Sequence, residues 1–249
     1  MSLNTKKVIC IIQARMGSTR LPGKAFIKIN GIPCIDRVIN RLKFSKRLDE
    51  IWIATTKKSE DKIFLSLKKK YNIKVFRGNI KNVLSRFEKI AILTKGDYFV
   101  RITADCPLID YKIVDKAIEV CLEKKYDYVS NTIKRTFPDG LDVEVFSKKA
   151  LENTVKNAKH PFLLEHVTPY IHGNIPADIK HGNFRKFQIK NKKNLSNLRW
   201  TLDEFQDLVF LNKICKLHKL DSDWKEISKT QSTNPVLMKI TNNIPTNEG

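Results

Sequence analysis

No run of about 18 uncharged apolar residues occurs anywhere in the chain, which excludes a membrane-spanning helix. The short apolar run near the N-terminus breaks at Gln13 and Arg15, as a buried strand does and a secretion signal does not. Cysteine is sparse: Cys10, Cys34, Cys106, Cys121 and Cys215 are scattered, odd in number and without CxxC spacing. A zinc site or a disulfide framework is therefore not expected, and a reducing, cytoplasmic setting is. No internal repeat is visible. Neither GxxxxGK[ST] nor GxGxxG occurs at the first loop, so a Walker loop and a dinucleotide fingerprint are both ruled out there. No recognisable RNA- or DNA-binding motif is present.

The 249 residues suffice for one large α/β domain, or for one domain with a small lobe. With 41% hydrophobic and 29% charged residues, the composition is that of a globular protein. The net charge of +21 has two readings. Runs such as Lys68-Lys69-Lys70 and Lys192-Lys193 look like a solvated lysine-rich surface. Attraction to a polyanion is the functional alternative, and charge alone does not separate a triphosphate from nucleic acid.

Strand and helix patterns alternate from the start. Residues 7–14 are a continuous β-branched apolar run, hence a strand buried on both faces. A helix is expected over 32–45, a strand over 50–55, and a helix over 59–71 with Ser59 as its N-cap. Strands 74–76, 97–102 and 126–130 then alternate with helices 81–94 and 111–124. This pattern predicts a three-layer α/β/α, Rossmann-like fold with a mainly parallel sheet. Ligands in such sheets bind beyond the carboxyl ends of the strands, which singles out the loops 15–24, 55–60, 77–80, 103–110 and 131–142.

After residue 131 the rhythm changes. Residues 141–147 alternate as a half-exposed strand does. A helix over 161–173 opens on Pro161. Strands are expected at 185–190 and 198–201, and a helix at 203–218. The domain is expected to span 4–221, with a small, more antiparallel lobe at about 131–200 covering substrate. Residues 222–249 are expected to form a peripheral helix and a polar tail. Met1–Leu3 are set aside as a cloning remnant.

The first loop concentrates the chemistry. Gln13-Ala14-Arg15-Met16-Gly17-Ser18-Thr19-Arg20-Leu21-Pro22-Gly23-Lys24 leaves the buried first strand carrying two glycines, two hydroxyls and three cations. Glycine admits close backbone approach, and successive N–H groups form an anion nest. Arg15 and Arg20 can fork onto phosphate oxygens, and Lys24 adds a point charge. The plainer reading is a basic surface loop.

QARMGSTRLPGK, followed by a helix after Gly31-Ile32-Pro33, resembles the signature of cytidylyltransferases that make CMP-activated acidic sugars. The nearest resemblance is to the spore-coat polysaccharide biosynthesis protein F family, and a more distant one is to the CMP-Kdo and CMP-acylneuraminate synthetases. Further matching segments are EIWIATT (50–56), VFRG (75–78), RITADCPLID (101–110), DYVSNT (127–132), FPDGLDVEVF (137–146), EHVTPYI (165–171) and LRWTLDEFQDL (198–208), so nearly the whole chain is covered. Some members of the family continue past the tail into a second domain, so the chain is either complete or shortened.

The resemblance implies the nucleotide-diphospho-sugar transferase fold with a small antiparallel lobe. It implies an enzyme that transfers CMP from CTP to a small sugar or sugar-acid acceptor, releases pyrophosphate and serves surface-polysaccharide synthesis. Mg²⁺ is the expected cofactor, with Asp105 and Asp203 matching the metal-binding aspartates of the related synthetases. Asp203 also stands where a helix N-cap is expected. Arg15, Lys24 and Asp105 are the expected catalytic set. Gln13, Ala14, Arg15, Gly17, Ser18, Arg20, Lys24, Arg77 and Arg101 are expected at the nucleotide. Asn131, Asp142, Glu144, His166 and Arg199 are expected at the acceptor. Arg101, in a strand, needs a partner, either Asp105 or phosphate. The FPDG turn explains Asp139 locally, and His166 has a structural hydrogen-bonding role as its alternative. Ala104 and Cys106 replace the Gly and Glu that flank the aspartate in the distant synthetases, which leaves the sugar open. Related synthetases are often dimers, so a homodimer is a possible state; neither nucleic acid nor membrane is an expected partner.

Two rivals remain. A glycosyltransferase of the same fold would carry Asp-x-Asp after strand 97–102, where this chain has Asp105-Cys106-Pro107. A basic nucleic-acid-binding module would interleave aromatics with its cations, and the first loop has none.

Overall fold

The computed structural model describes residues 6–242; positions 4–5 of the expected domain, Met1–Leu3 and residues 243–249 of the expected tail lie outside the described residues. A seven-stranded sheet organises the chain, in the order β5-β4-β1-β6-β8-β7-β9. Its strands are β1 (Val8–Gln13), β4 (Glu50–Thr56), β5 (Lys74–Gly78), β6 (Tyr98–Thr103), β7 (Tyr128–Ser130), β8 (Glu144–Ser147) and β9 (Lys186–Gln188). Pairing is parallel from β5 through β6, antiparallel on both sides of β8, and parallel again between β7 and β9. β8 is thus the reversed strand in a mainly parallel sheet. A separate antiparallel pair, β2 (Lys28–Ile29) and β3 (Ile32–Pro33), follows the first loop. The small antiparallel element therefore lies at 28–33, and 131–200 contributes β8 and β9 to the main sheet.

β1 shows why the sheet is central. Val8, Cys10 and Ile12 enter one apolar cluster, and Ile9 and Ile11 enter the other. Both faces are dry, so alternation of side-chain direction produces a continuous apolar run. The first cluster is covered by α1 (Cys34–Leu42), α2 (Ser66–Tyr71), α4 (Tyr111–Lys124), α8 (Phe205–Leu217), α9 (Trp224–Thr233) and α10 (Pro235–Asn242). The second is covered by α3 (Leu84–Thr94), α5 (Lys148–Asn157), α6 (Pro161–His166) and α7 (Pro169–His172). Three layers result, as the alternation predicts.

The local signals held unevenly. α4 starts where Asp110 accepts the N–H groups of Lys112 (2.8 Å) and Ile113 (3.3 Å), as an N-cap does. The 59–71 segment begins instead as a 3-10 turn over Ser59–Leu65, capped by Lys58 and not by Ser59. Where one peripheral helix is expected after residue 222, α9 and α10 both form, and Trp224, Ile227 and Leu237 are buried in the first cluster.

The expected helix 161–173 breaks in two. Val167 has φ 71° and ψ −57°, and the Thr168 N–H donates to the His166 carbonyl at 2.9 Å. This is the strained γ-turn, rare for any residue and more so for a β-branched one. The strain lies between His166 and Thr168, and both line one cavity.

Candidate active site

The first loop closes on itself at the carboxyl end of β1. The Met16 carbonyl accepts from the N–H of Ser18 (2.9 Å) and of Gly23 (3.0 Å). Gly23 adopts φ 71°, which glycine reaches without strain, and turns the chain into a 3-10 turn over Lys24–Phe26. A buried carboxylate that sequence reading missed anchors the loop from the 3-10 turn after β4. Asp61 accepts the Met16 N–H at 2.7 Å and the Thr56 hydroxyl. It lies in the segment after β4, and no local pattern marks it out as a partner of Met16.

Lys24 reaches across the end of the sheet. Its Nζ is 2.5 Å from Asp105 Oδ2 and 2.6 Å from Asp203 Oδ1. Arg20 Nη2 lies 3.2 Å from that same Asp203 oxygen, and its Nη1 3.6 Å from Glu204. Burial pushes the Asp105 carboxyl up, but the Lys24 charge together with hydrogen bonds from Lys24 and Thr103 outweighs it and holds Asp105 below the usual carboxylate range. Burial likewise opposes the charge on Lys24, and the two carboxylates raise it above its usual value.

Tertiary backbone bonds place those carboxylates. The Leu202 N–H donates to the Asp105 carbonyl at 2.8 Å. On the other side, Asp139 donates to Leu198 (2.8 Å) and accepts from Trp200 (2.7 Å). Residues 198–201 make one isolated bridge, Asp139 to Arg199, in place of the expected strand. Gly140 makes this approach possible: its φ is 100°, and a Cβ there would stand 2.7 Å from the Trp200 carbonyl carbon. Gly140→Ala should therefore lower the thermal midpoint by several degrees, consistent with a strain of about 1–3 kcal/mol; an unchanged midpoint would show that the loop relaxes freely.

Asp203 is not the N-cap of α8. Glu204 holds that position, and Asp207 accepts the N–H of Asp203 (2.9 Å) and of Glu204 (2.8 Å). The Asp203 carboxylate is thereby left to face Lys24 and Arg20. Its second oxygen lies 3.4 Å from Arg199.

A cavity of about 580 Å³ opens beside this cluster, lined among others by Arg101, Arg135, Asp142, Glu144, His166 and His172. Arg101 donates to Gln13 (Nε–Oε1 3.1 Å) and to Glu144, so its partner is Glu144 and not Asp105. Glu144 also accepts from Tyr128 (2.7 Å) and Thr168 (2.6 Å). Burial alone would raise its pKa, and Arg101 with these donors lowers it. Burial holds the His166 and His172 imidazoles below their usual range.

Asp139 also lines this cavity, with its pKa pushed up to about 6 by burial and by the Asp142 charge, against the pull of Arg135 and Arg199. A folded-state pKa above the unfolded one stabilises below the unfolded value, and that stability is lost as pH rises through about 6. Asp139→Asn should therefore raise the thermal midpoint at pH 8 and leave it little changed at pH 4. An equal shift at both pH values would contradict this assignment.

The family model described as cytidylyltransferase matches residues 9–228, which include every element of this cluster. The chain belongs to the cytidylyltransferase family. An uncharacterized protein of Methanocaldococcus jannaschii is 37% identical over 241 residues, 96% of each chain. Spore coat polysaccharide biosynthesis protein SpsF of Bacillus subtilis is 34% identical over 68% of this chain and 71% of its own. A 3-deoxy-manno-octulosonate cytidylyltransferase of Thermodesulfovibrio yellowstonii is 27% identical over 65% and 73%. A solved cytidylyltransferase from Leptospira borgpetersenii superimposes with TM-score 0.88 at 31% identity, covering 97% of this chain and 99% of that one. The three-layer sheet is thus the fold of nucleotide-sugar transferases, and the chain is a CTP-dependent nucleotidyltransferase.

The enzyme gathers some of the expected site residues and employs others differently. Lys24, Arg20, Asp105 and Asp203 meet at one point. Arg15 instead faces Glu165 of α6 at 3.9 Å, with both side chains about half exposed. Gln13 serves Arg101, and Ala14 is buried with its N–H on the Ala54 carbonyl. Ser18 Oγ accepts weakly from Leu21 at 3.4 Å, and a Cβ on Gly17 would meet only open space. Arg77 spends its donors on the carbonyls of Thr56 (3.0 Å) and Lys58 (2.6 Å), bracing the loop after β4. Asn131 is a loop staple, donating to Leu141 (2.7 Å) and accepting from Val143 (2.9 Å). Arg199 is 3% exposed and holds Asp207 with two donors, at 2.8 and 3.0 Å. It orders the carboxylate segment and does not project into open space. Asp142 is gripped by Arg135 at 2.5 and 2.7 Å.

Among the described residues, no helix is long and apolar enough to cross a membrane.

Proposed function

We propose that this cytidylyltransferase transfers CMP from CTP to a sugar or sugar-acid acceptor, with Mg²⁺ as cofactor and pyrophosphate as product, in cytoplasmic synthesis of surface polysaccharide. One observation carries the reading. Lys24 Nζ bridges Asp105 and Asp203 at 2.5 and 2.6 Å, beside Arg20, and Arg199 links Asp203 to Asp139, which lines the 580 Å³ cavity. Triphosphate-binding cations, metal-binding carboxylates and space for an acceptor are then neighbours. The named activity of the manno-octulosonate cytidylyltransferase supports CTP and a sugar acid, and the name of the SpsF relative supports polysaccharide synthesis.

The carboxylate pair fits a divalent ion. A cation, the Lys24 ammonium, already sits where the two hard oxygen donors converge, and hard donors are what Mg²⁺ takes. Among the described residues, no group of three or more His, Cys, Asp or Glu forms such a site, so further ligands would be water and phosphate oxygens. Asp105 and Asp203 would hold the ion, which would neutralise charge on the triphosphate.

The residues divide the remaining work. Arg15, Arg20 and Lys24 bind the triphosphate, and the loop backbone around Gly17 approaches it. Asp61 holds that loop, and Arg77 braces the segment after β4 that carries Asp61. His166, Glu144, Arg101 and Asp142 border the acceptor. The acceptor hydroxyl gives its proton to solvent, its oxygen bonds the α-phosphorus, and the bond from that phosphorus to the oxygen bridging to the β-phosphate breaks, that oxygen leaving with the pyrophosphate. Positioning supplies most of the acceleration, and no covalent nucleophile is needed. Five free, buried cysteines support a reducing compartment.

Thermal-shift screening of CTP, ATP, GTP and UTP with Mg²⁺, then pyrophosphate release with a panel of sugar acids and neutral sugars, tests the proposal. CTP should stabilise most, and one acceptor class should trigger release. Equal response to all four nucleotides, or no release with any acceptor, would count against it.

A further inference from the structure

We propose that Lys24 is a placeholder for the divalent ion, so that this site takes its metal only together with the nucleotide. The inference rests on reading Asp105 and Asp203 as the metal ligands.

The geometry is that of an occupied seat. Lys24 Nζ stands 2.5 Å from Asp105 Oδ2 and 2.6 Å from Asp203 Oδ1, and its side chain is only 17% exposed. Arg20 adds a second cation 3.2 Å from the same Asp203 oxygen. The remaining oxygens also face partners. Asp203 Oδ2 is 3.4 Å from Arg199, and Asp105 Oδ1 is 3.7 Å from the Cys106 thiol.

Charge arithmetic turns this packing into an order of events. The two carboxylates supply two negative charges, and Lys24 and Arg20 supply two positive ones. A dication entering this ion-paired cluster alone would have to displace a mostly buried ammonium or share the seat with it. Displacement strands a lysine without a partner, and sharing sets like charges a few ångströms apart in a weakly screened place. A triphosphate removes the obstacle. It presents several negative oxygens to the first loop, where Lys24 and Arg20 are both rooted. Their cations transfer to the phosphates, and the vacated carboxylate oxygens become available to the ion. Nucleotide and metal therefore favour each other through one side chain. Coupling of this kind is reciprocal, so each ligand tightens the other by the same factor.

Mn²⁺ titration followed by electron paramagnetic resonance tests this on the full chain. CTP is present or absent, no acceptor is added, and a protein-free Mn²⁺–CTP control is subtracted. The wild type should bind Mn²⁺ about 100-fold more weakly without CTP than with it, a coupling at the upper end of those usual between sites. Lys24→Met should bind Mn²⁺ more tightly than the wild type in the absence of CTP, and the coupling should shrink to a few-fold. Equal Mn²⁺ affinity of the wild type with and without CTP would overturn the placeholder role, and that comparison needs no variant to fold. Unimproved Mn²⁺ binding by a folded Lys24→Met chain would overturn it too. Absence of Mn²⁺ binding in either condition would instead overturn the metal assignment of Asp105 and Asp203 itself.

Discussion

Asp105→Asn is expected to lower CTP-dependent pyrophosphate release about a thousand-fold, the scale seen when one preorganised electrostatic group is removed from a reaction centre. Asparagine keeps the shape, so the loop after β6 should stay in place. Its position is secured by main-chain atoms, through the Leu202 N–H on the Asp105 carbonyl, and not by the carboxylate. The charge is what is lost. With it goes one of the two oxygens that converge on Lys24 Nζ. CTP binding without metal should change little or tighten, because Lys24 then has one fewer internal anion to leave. Calorimetric titration of CTP beside a continuous pyrophosphate assay separates the two effects. Turnover within ten-fold of wild type would remove Asp105 from the reaction centre, and equal losses in binding and turnover would make it a binding residue only.

Arg101→Met is expected to be the most destabilising single change near the cavity, by about 3–5 kcal/mol, because it strands a buried carboxylate. The Arg101 and Glu144 side chains are 16% and 7% exposed, and they pair across β6 and β8. Methionine would leave Glu144 with Tyr128 and Thr168 alone. Replacing both members, Arg101→Met with Glu144→Leu, should recover much of the loss, since no charge then remains unpaired. The effect carries a pH signature. In the wild type the Glu144 pKa is depressed, so its contribution is present above the unfolded glutamate value and is lost as pH falls through the folded one. Without Arg101, burial raises that pKa instead. The gap between variant and wild type should therefore be widest near pH 7 and narrow below pH 4. Denaturant unfolding at both pH values measures it; a gap independent of pH would mean that packing of the Arg101 stem, and not its charge, supplies the stability.

Legibility in the sequence followed the range of the interactions. β1 and α4 could be read from a few neighbouring residues. A continuous β-branched run has one use in a doubly covered sheet, and Asp110 caps α4 through N–H groups two and three residues on. Helix 161–173 could not be read, because the γ-turn at Val167 is disfavoured locally and breaks the run between two residues that line the cavity. Asp61 was missed for a related reason. Its partner Met16 is forty-five positions away, and an aspartate in a polar turn looks like any other. Arg101 pairs with Glu144 where Asp105 or phosphate was expected, and Asn131 and Arg199, read as acceptor candidates, hold Leu141 and Asp207. Each is a polar group that burial obliges to find a mate, and which mate depends on the strand order.

Composition and spacing by themselves determined that this chain is a mainly parallel α/β protein with a cationic loop leaving its first strand, since periodicity and glycine placement are local properties. Only the tertiary structure decided that Lys24 would span Asp105 and Asp203. Those residues are 81 and 179 positions from it, and they meet because the segment around Leu202 hydrogen-bonds to the Asp105 loop while Asp207 draws in the start of α8. A charge reveals its role only once its neighbours are known, because the energy of an ion depends on what stands within a few ångströms of it.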